Sequence, residues 1–290
     1  MQLKHHDQTK VSQTQHSAQT PLGKETEYDQ VYSPDILFPI ERMGNRQTIN
    51  ISDELPFHGK DVWTCYELSW LNSKGKPQVG IAYFSFCAES PFMVESKSFK
   101  LYLNSFNHVA FEGVQVLKKV MQHDLSEVTG AAVSIEICDV DSEITTRFKN
   151  APQAICLDHL DIDDFQYQPL ASLLSLDAAE GQTTELLCSH LLRTNCPVTG
   201  QPDWGSIYIQ YSGRKINHAN LLRYIVSFRQ CQDFHEHCVE RIFMDLLKHC
   251  QCESLSVYAR YTRRGGLDIN PYRATKNLSA SPVSFRTSRQ

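Results

Sequence analysis

The segment WGSIYIQY, residues 204–211, decides the fold, because polar and apolar side chains alternate along it as they do along a half-buried strand. A similar segment, TELLCSHLLR at 184–193, precedes it, so the two are predicted to pair as a hairpin. A helix is predicted at 231–248, where apolar residues recur at helical spacing, and LSVYARY at 255–261 alternates again. This part of the chain therefore has the order strand, strand, helix, strand.

The same order of elements is predicted earlier in the chain. The two hairpin strands, the helix and the third strand fall at 62–71, 78–86, 107–123 and 131–140. The apolar face of this helix is predicted to comprise Val109, Val116, Leu117, Val120 and Met121. With Gly80 aligned on Gly205, an offset of 125 (205 − 80) places Leu117 on Ile242 without a gap. We interpret this as an internal duplication, whose alternative is two unrelated α+β domains.

Composition sets limits on the class of protein. Apolar residues make up 41% of the 290, which is enough for buried cores. The net charge is −5 (28 − 33), which argues against a protein that mainly grips nucleic acid. We find no apolar run near the roughly 20 residues of a membrane span, no export signal and no dense cysteine framework. A reduced cytoplasmic protein is expected.

Changes in composition give the expected domain boundaries. Residues 1–30 are polar and aperiodic and are predicted to form an N-terminal arm. The first unit is predicted at 31–150, an acidic connector at 151–183 and the second unit at 184–290. The fold class is therefore predicted as α+β with antiparallel sheets and few helices.

The loop NCPVTGQPDWG, residues 195–205, carries the first candidate chemistry. Cys196 is a candidate nucleophile and Asp203 a candidate proton donor or acceptor, because a wide hairpin loop can bring both into one cleft. The loop predicts an accessible Cys196, although most cysteines in a reducing compartment are simply small buried hydrophobes.

Two further polar segments are not explained by packing. At the start of the predicted second helix, His235 could complete a Cys/His pair with Cys196, whereas Glu236 could simply favour the helix dipole. The segments ESKSFK at 95–100 and RRGGLDINPYR at 263–273 combine basic and small residues, which suits a phosphate-bearing ligand. Solvated basic surface is the alternative, and it is favoured for Lys100.

Together these segments resemble one family, the NADPH-dependent 7-cyano-7-deazaguanine reductases, which are the nitrile reductases of queuosine biosynthesis and so serve tRNA modification. The resemblance covers roughly residues 60–273 and follows the family's long, two-unit form. It implies tandem tunnelling-fold (T-fold) units, built of antiparallel sheets with paired helices, in a cytoplasmic enzyme. It also implies a homodimer, with no direct contact to nucleic acid or membrane.

The resemblance also implies roles for individual residues. Cys196 would attack the nitrile carbon to form a covalent thioimide, Asp203 would donate a proton, and two hydrides from NADPH would give the primary amine 7-aminomethyl-7-deazaguanine. The substrate would be held by Val94, Glu95, Ser96, His235 and Glu236. NADPH would be held by Ser96, Lys97, Arg264 and Gly265.

Two other functions remain open at this point. A metal-dependent purine or pterin hydrolase of the same fold would use His235, His237, Cys238 and the segment His249-Cys250-Gln-Cys252. Core packing explains Cys238 equally well, and the spacing of Cys250 and Cys252 is tighter than usual for zinc, so no metal is predicted. A non-catalytic purine-binding module would keep Glu95 and Glu236 without needing Cys196.

Overall fold

Both predicted hairpins are present in the computed structural model of the protein, which describes residues 31–52, 54–141, 151–179, 181–278 and 285–289. The predicted arm at 1–30 lies outside these residues. Within them the chain is a mixed α+β protein in which antiparallel strands dominate and helices are few, as predicted.

Twelve strands and five α-helices form within the described residues. The strands are β1 (Pro39–Glu41), β2 (His58–Asn72), β3 (Pro77–Cys87), β4 (Phe92–Val94), β5 (Ala110–Phe111), β6 (Ser134–Cys138), β7 (Ile155–Cys156), β8 (Gln182–Ser189), β9 (Arg193–Asn195), β10 (Pro202–Arg214), β11 (Ser254–Tyr261) and β12 (Leu267–Ala274). The helices are α1 (Arg42–Gln47), α2 (Ser96–Asn104), α3 (Val114–Thr129), α4 (His218–Ser227) and α5 (His235–Cys250).

One large sheet runs through the molecule in the order β6-β3-β2-β12-β11-β10-β8-β7. In the first half, β2 and β3 form a hairpin, α2 and α3 follow, and β6 adds beside β3. In the second half, β8 and β10 pair, α4 and α5 follow, and β11 adds beside β10. Strand β12 lies between β2 and β11 and is antiparallel to both, so it joins the halves into one sheet.

Each half has its own apolar core, because alternate side chains of its strands face its helices. In the first half, Trp63 and Phe84 of the sheet pack with Phe99 of α2, ring edges against ring faces. In the second half, Ile207 of β10 and Phe243 of α5 are completely buried. Truncating a side chain of this kind to alanine costs about 2–5 kcal/mol.

Helix α3 begins later than its pattern predicted. It starts after Gly113, and Gly130 ends it in the left-handed conformation with φ 70°. Val109 therefore lies before the helix, and Val116 is 44% exposed. The helix bounds were misplaced because the apolar side chains that are buried are Leu117, Met121 and Leu125, and this row continues past residue 123 until Gly130 ends the helix.

A buried network of charges connects the two halves. The Arg42 guanidinium lies 2.7 Å from the Asp61 carboxylate, which also receives a 2.7 Å bond from Arg273. Arg273 and Arg46 both reach Oε1 of Glu240 on α5, at 2.8 and 2.7 Å. Burial alone would raise the pKa of Glu240, but the Arg273 and Arg46 guanidinium groups lower it to about 2. The network links α1 and α5 to β2 and β12. Moving these elements apart would separate the partners and leave buried charges unpaired, which is strongly unfavourable.

Candidate functional site

A cleft of about 440 Å³ opens where the two halves meet. Trp63, Met93 and Ile269 give it apolar walls, as is usual for small-molecule sites. Eight of the ten predicted site residues line it, namely Val94, Glu95, Ser96, Cys196, Asp203, His235, Glu236 and Arg264. The other two, Lys97 and Gly265, do not. Strand pairing therefore brings residues about a hundred positions apart into one place.

The Cys196 thiol lies at the cleft on a short, internally bonded loop. The Cys196 N–H donates to the carbonyl of Gln201 at 2.9 Å, and the Gly200 N–H donates to the carbonyl of Cys196 at 3.0 Å. Gly200 has φ 66°, which favours glycine there. The prediction of an accessible cysteine was wrong: Cys196 is only 8% exposed, because the cleft walls cover it.

The carboxylate of Asp203 lies between two basic side chains. Its Oδ1 lies 3.3 Å from Nε of Arg264, and its Oδ2 lies 3.4 Å from Nε2 of His235. Nδ1 of His235 lies 3.3 Å from the carbonyl of Ile269, which can only accept, so Nδ1 must carry a hydrogen. The contact between Nε2 and Asp203 is then favourable only when a proton lies between them. This pair is therefore suited to proton transfer.

The ring of His235 is held in place by stacking. Tyr261 of β11 lies parallel to it, with ring centroids 3.7 Å apart and an interplanar angle of 9°. Tyr261 itself is fully buried in the core of the second half. The imidazole orientation is thus set by the sheet, a support that the sequence pattern did not reveal.

Two buried glutamates face the cleft in different surroundings. Glu95 precedes α2, and its carboxylate accepts the N–H groups of Lys97 and Ser98 at 2.8 and 2.7 Å, so it caps the helix. Glu236 lies in the first turn of α5, where burial, and then the nearby Asp61, raises its pKa to about 7. Glu236 is therefore partly protonated near neutral pH.

Basic side chains gather at one end of the cleft. Arg264 donates from Nη1 to the Gln201 side-chain oxygen at 2.7 Å. Gly265, with φ 57°, follows it in a tight turn, and a Cβ there would lie 3.7 Å from the end of Lys100. Burial lowers the pKa of Lys100, and Arg264 lowers it further. Lys100, which the sequence favoured as solvated surface, instead lines a second small pocket together with Gly265 and Gly266, and its charge acts on Arg264 at the edge of the cleft.

This donor set fits a phosphate-bearing cofactor. Lys100 and Arg264 are two cations beside the Gly265 turn, near enough for Arg264 to lower the pKa of Lys100, and a bound anion would relieve their repulsion. Gly265 leaves room for the backbone to approach a ligand.

Lys97, which was also predicted to bind the cofactor, lies half-buried in the first turn of α2, outside the cleft wall.

The residues proposed for a metal-dependent hydrolase have other partners. His237 bonds the Asp233 carboxylate through Nδ1, and Cys238 shares a hydrogen bond with Cys231 inside the core. His235 is committed to Asp203 and Ile269. In the described part of the chain these side chains do not converge on a common point.

None of the helices in the described ranges is both long and apolar enough to span a bilayer.

Known proteins match both halves of the chain. A family model described as "Nitrile reductase, 7-cyano-7-deazaguanine-reductase N-term" matches residues 28–137, and one described as "QueF-like protein" matches 202–280. Proteins named "NADPH-dependent 7-cyano-7-deazaguanine reductase" from Burkholderia vietnamiensis and Burkholderia multivorans are 52% and 51% identical over 271 residues, covering 93% of this chain and 98% of each relative. The one from Paraburkholderia phytofirmans is 50% identical over 272 residues. The chain therefore belongs to the family of 7-cyano-7-deazaguanine reductases, the nitrile reductases that the sequence motifs resemble.

Proposed function

We propose that the protein reduces the nitrile of 7-cyano-7-deazaguanine to the primary amine 7-aminomethyl-7-deazaguanine with NADPH, for queuosine modification of tRNA. The observation that carries this proposal is the convergence of Cys196, Asp203 and His235 in one cleft. A thiol beside a carboxylate–imidazole pair is the set of groups needed to add to a nitrile and protonate its nitrogen.

In the first step the sulfur of Cys196 bonds to the nitrile carbon. One π pair of the C≡N bond moves to nitrogen, which takes the proton held between Asp203 and His235. The product is a thioimide with a C=N bond, and the proton that the Cys196 thiol releases replaces the one given up by the Asp203–His235 pair.

NADPH, when bound, supplies one hydride to each of two successive C=N reductions. After the first, the carbon–sulfur bond breaks and Cys196 leaves as thiolate, so its thiol is regenerated by proton uptake. Asp203 remains within reach of His235 at 3.4 Å for the protons that the nitrogen takes up. Because Cys196 is buried, water has little access to the thioimide, which limits hydrolysis.

The two glutamates are proposed to hold the deazaguanine ring. A carboxylate can accept two N–H groups from a guanine-like edge, and Glu236 lines the cleft from the first turn of α5. Oε1 of Glu95 accepts the Lys97 N–H and, at 3.5 Å, the Ser96 hydroxyl, whereas Oε2 accepts the Ser98 N–H and keeps a second lone pair for the ligand. Val94, Ser96 and His235 complete the pocket, and Phe234 lines the same wall.

Ser96, Lys97, Arg264 and Gly265 are proposed to hold NADPH, and Lys100 joins them. The support is the pair of cations, Lys100 and Arg264, beside the Gly265 turn. Arg264 contacts Asp203, so a phosphate would draw the guanidinium away from the carboxylate.

We also propose that the halves are tandem T-fold units that work as a homodimer, with the unit boundaries predicted above. The support is the same strand, strand, helix, helix, strand order in each half. A reaction that depends on a free thiol fits the reducing cytoplasm, and none of the ten cysteines, all of which lie in the described residues, forms a disulfide.

The test is incubation of purified protein with the nitrile and NADPH, following nicotinamide absorbance and identifying the product by mass spectrometry. We expect two NADPH oxidised per amine formed. A hydrolase would change the purine without consuming NADPH, and a binding module would retain the nitrile unchanged. Either result would refute the proposal.

A further inference from the structure

A second group of reactive side chains lies at the β7–β8 edge of the sheet, apart from the cleft. Strand β7 pairs in parallel with β8, which places Cys156 directly opposite Cys188. His190 follows two residues later, on the same face as Cys188 in an extended chain. The ligand atoms of all three lie within 4.8 Å of one another. Sequence inspection missed this group because Cys156 and Cys188 are 32 residues apart (188 − 156).

The surroundings hold His190 in a fixed position. Its Nδ1 lies 2.8 Å from the Ser206 hydroxyl on β10, and its backbone N–H donates to the Asp158 carboxylate at 2.8 Å. The other oxygen of Asp158 accepts the Ser189 hydroxyl at 2.6 Å. Metal-binding histidines commonly have their second ring nitrogen bonded in this way, which fixes the tautomer and the ring orientation.

We propose that Cys156, Cys188 and His190 form a zinc site with a fourth position open to water. Two thiolates and an imidazole favour zinc over hard cations such as magnesium. With Zn–S about 2.3 Å and Zn–N about 2.0 Å, tetrahedral ligand atoms lie about 3.5–4 Å apart. Atoms already within 4.8 Å need to close by only about 1 Å.

Access and position agree with this assignment. Cys188 is buried, whereas Cys156 and His190 are half-buried, so an ion can enter from the solvent side. None of the three lines the cleft. The ion would tie the two-residue strand β7 to β8, and with it the connector to the second half. Bound zinc should therefore raise the melting temperature by mass action.

The experiment uses the full-length chain, stripped of metal and reduced so that no Cys156–Cys188 disulfide blocks the ligands. Zinc is titrated in competition with a chromophoric chelator, and bound metal is counted by elemental analysis. We expect one zinc per chain, with affinity at least tenfold weaker in Cys156→Ser, Cys188→Ser and His190→Ala. Cobalt should give the absorption of tetrahedral thiolate coordination in the wild type only.

Two variants provide matched controls. Cys87→Ser removes another half-buried thiol, and His159→Ala removes an exposed imidazole three residues from Cys156. Both should bind zinc like the wild type. Because Cys188 is buried and its variant could misfold, the half-buried positions 156 and 190 decide the question. No zinc in the wild type, or equal zinc affinity in the wild type, Cys156→Ser and His190→Ala, would overturn the proposal.

Discussion

The cleft contains one buried glutamate from each half, and the two are used differently. Glu95 is 1% exposed, and each of its carboxylate oxygens accepts a backbone N–H from the first turn of α2. Glu236 is 4% exposed and lies beside Asp61 and His235, with its pKa raised to about 7. The first half thus contributes a carboxylate fixed by the helix, while the second contributes one whose pKa is raised by burial. A cleft shared by two halves need not divide its chemistry equally.

The largest effect on activity is expected for a substitution in the second half. Cys196→Ala should lower turnover to below about one thousandth of wild type, because no other thiol lines the cleft within the described residues. The fold should survive at a cost of about 1 kcal/mol, since only a sulfur is lost. Steady-state kinetics and thermal unfolding measure the two effects. Cys87→Ala is the control, and equal activity of both variants would remove Cys196 from the mechanism.

The variant Glu236→Gln tests the difference between the two glutamates through the pH dependence of the unfolding free energy. The folded-state pKa of Glu236, about 7, lies above its ordinary value of 4.5, so the carboxyl is easier to ionise in the unfolded chain. Its contribution to stability is therefore greatest below pH 4.5 and is lost as pH rises towards 7. Relative to wild type, Glu236→Gln should gain about 3 kcal/mol of unfolding free energy across that window. Chemical denaturation at several pH values measures this, and a constant difference would contradict it.

The same variant should bind the nitrile more weakly. Glutamine can accept only one of the two N–H groups that the carboxylate accepts, so the expected loss is about tenfold or more. Calorimetric titration with the nitrile, without NADPH, measures it. Stability and ligand affinity should therefore change in opposite directions, a combination that simple misfolding would not produce.

Arg264→Ala tests the cationic end of the cleft. The loss of a charge-assisted contact should raise KM for NADPH about ten- to a hundredfold while KM for the nitrile changes little. Arg263→Ala is the matched control, because the Arg263 guanidinium lies over the Tyr66 ring, 4.7 Å from its centroid, rather than in the cleft. If KM for the nitrile rose instead, the cofactor assignment would be wrong.

The smallest effect is expected in the first half. Glu95→Ala removes the cap of α2 and should cost about 1–2 kcal/mol of unfolding free energy. Ser96→Ala, at the next position, leaves the cap in place and serves as the control. Thermal and chemical unfolding measure both. A loss of nitrile affinity in Glu95→Ala with no loss of stability would reverse the contrast between the two glutamates.

The sheet was more predictable than the details of its helices. The alternation of polar and apolar residues predicted the four hairpin strands, because each strand buries one face against helices. The start of α3 was missed, since Gly113 and Gly130 set its ends independently of the apolar pattern. The Arg273–Glu240 contact could not be predicted either, because a charged residue is expected at the surface unless its partner is known.

The site was predictable as a set of residues but not as a geometry. Loop composition pointed to Cys196 and Asp203, yet the burial of the thiol depends on contacts that only the folded chain makes. Glutamate is not a preferred N-cap, so the capping role of Glu95 left no local signal. Lys100 was missed because only the fold brings it to the Gly265 turn.

The central claim is that Cys196 forms a covalent bond with the nitrile in a cleft built by both halves. The most direct measurement is intact-protein mass spectrometry after the nitrile is mixed with the protein in the absence of NADPH. The account predicts that the wild type gains the mass of one nitrile molecule, that peptide mapping places it on Cys196, and that Cys196→Ala gains nothing. A wild type without an adduct, or an adduct that persists in Cys196→Ala, would contradict it.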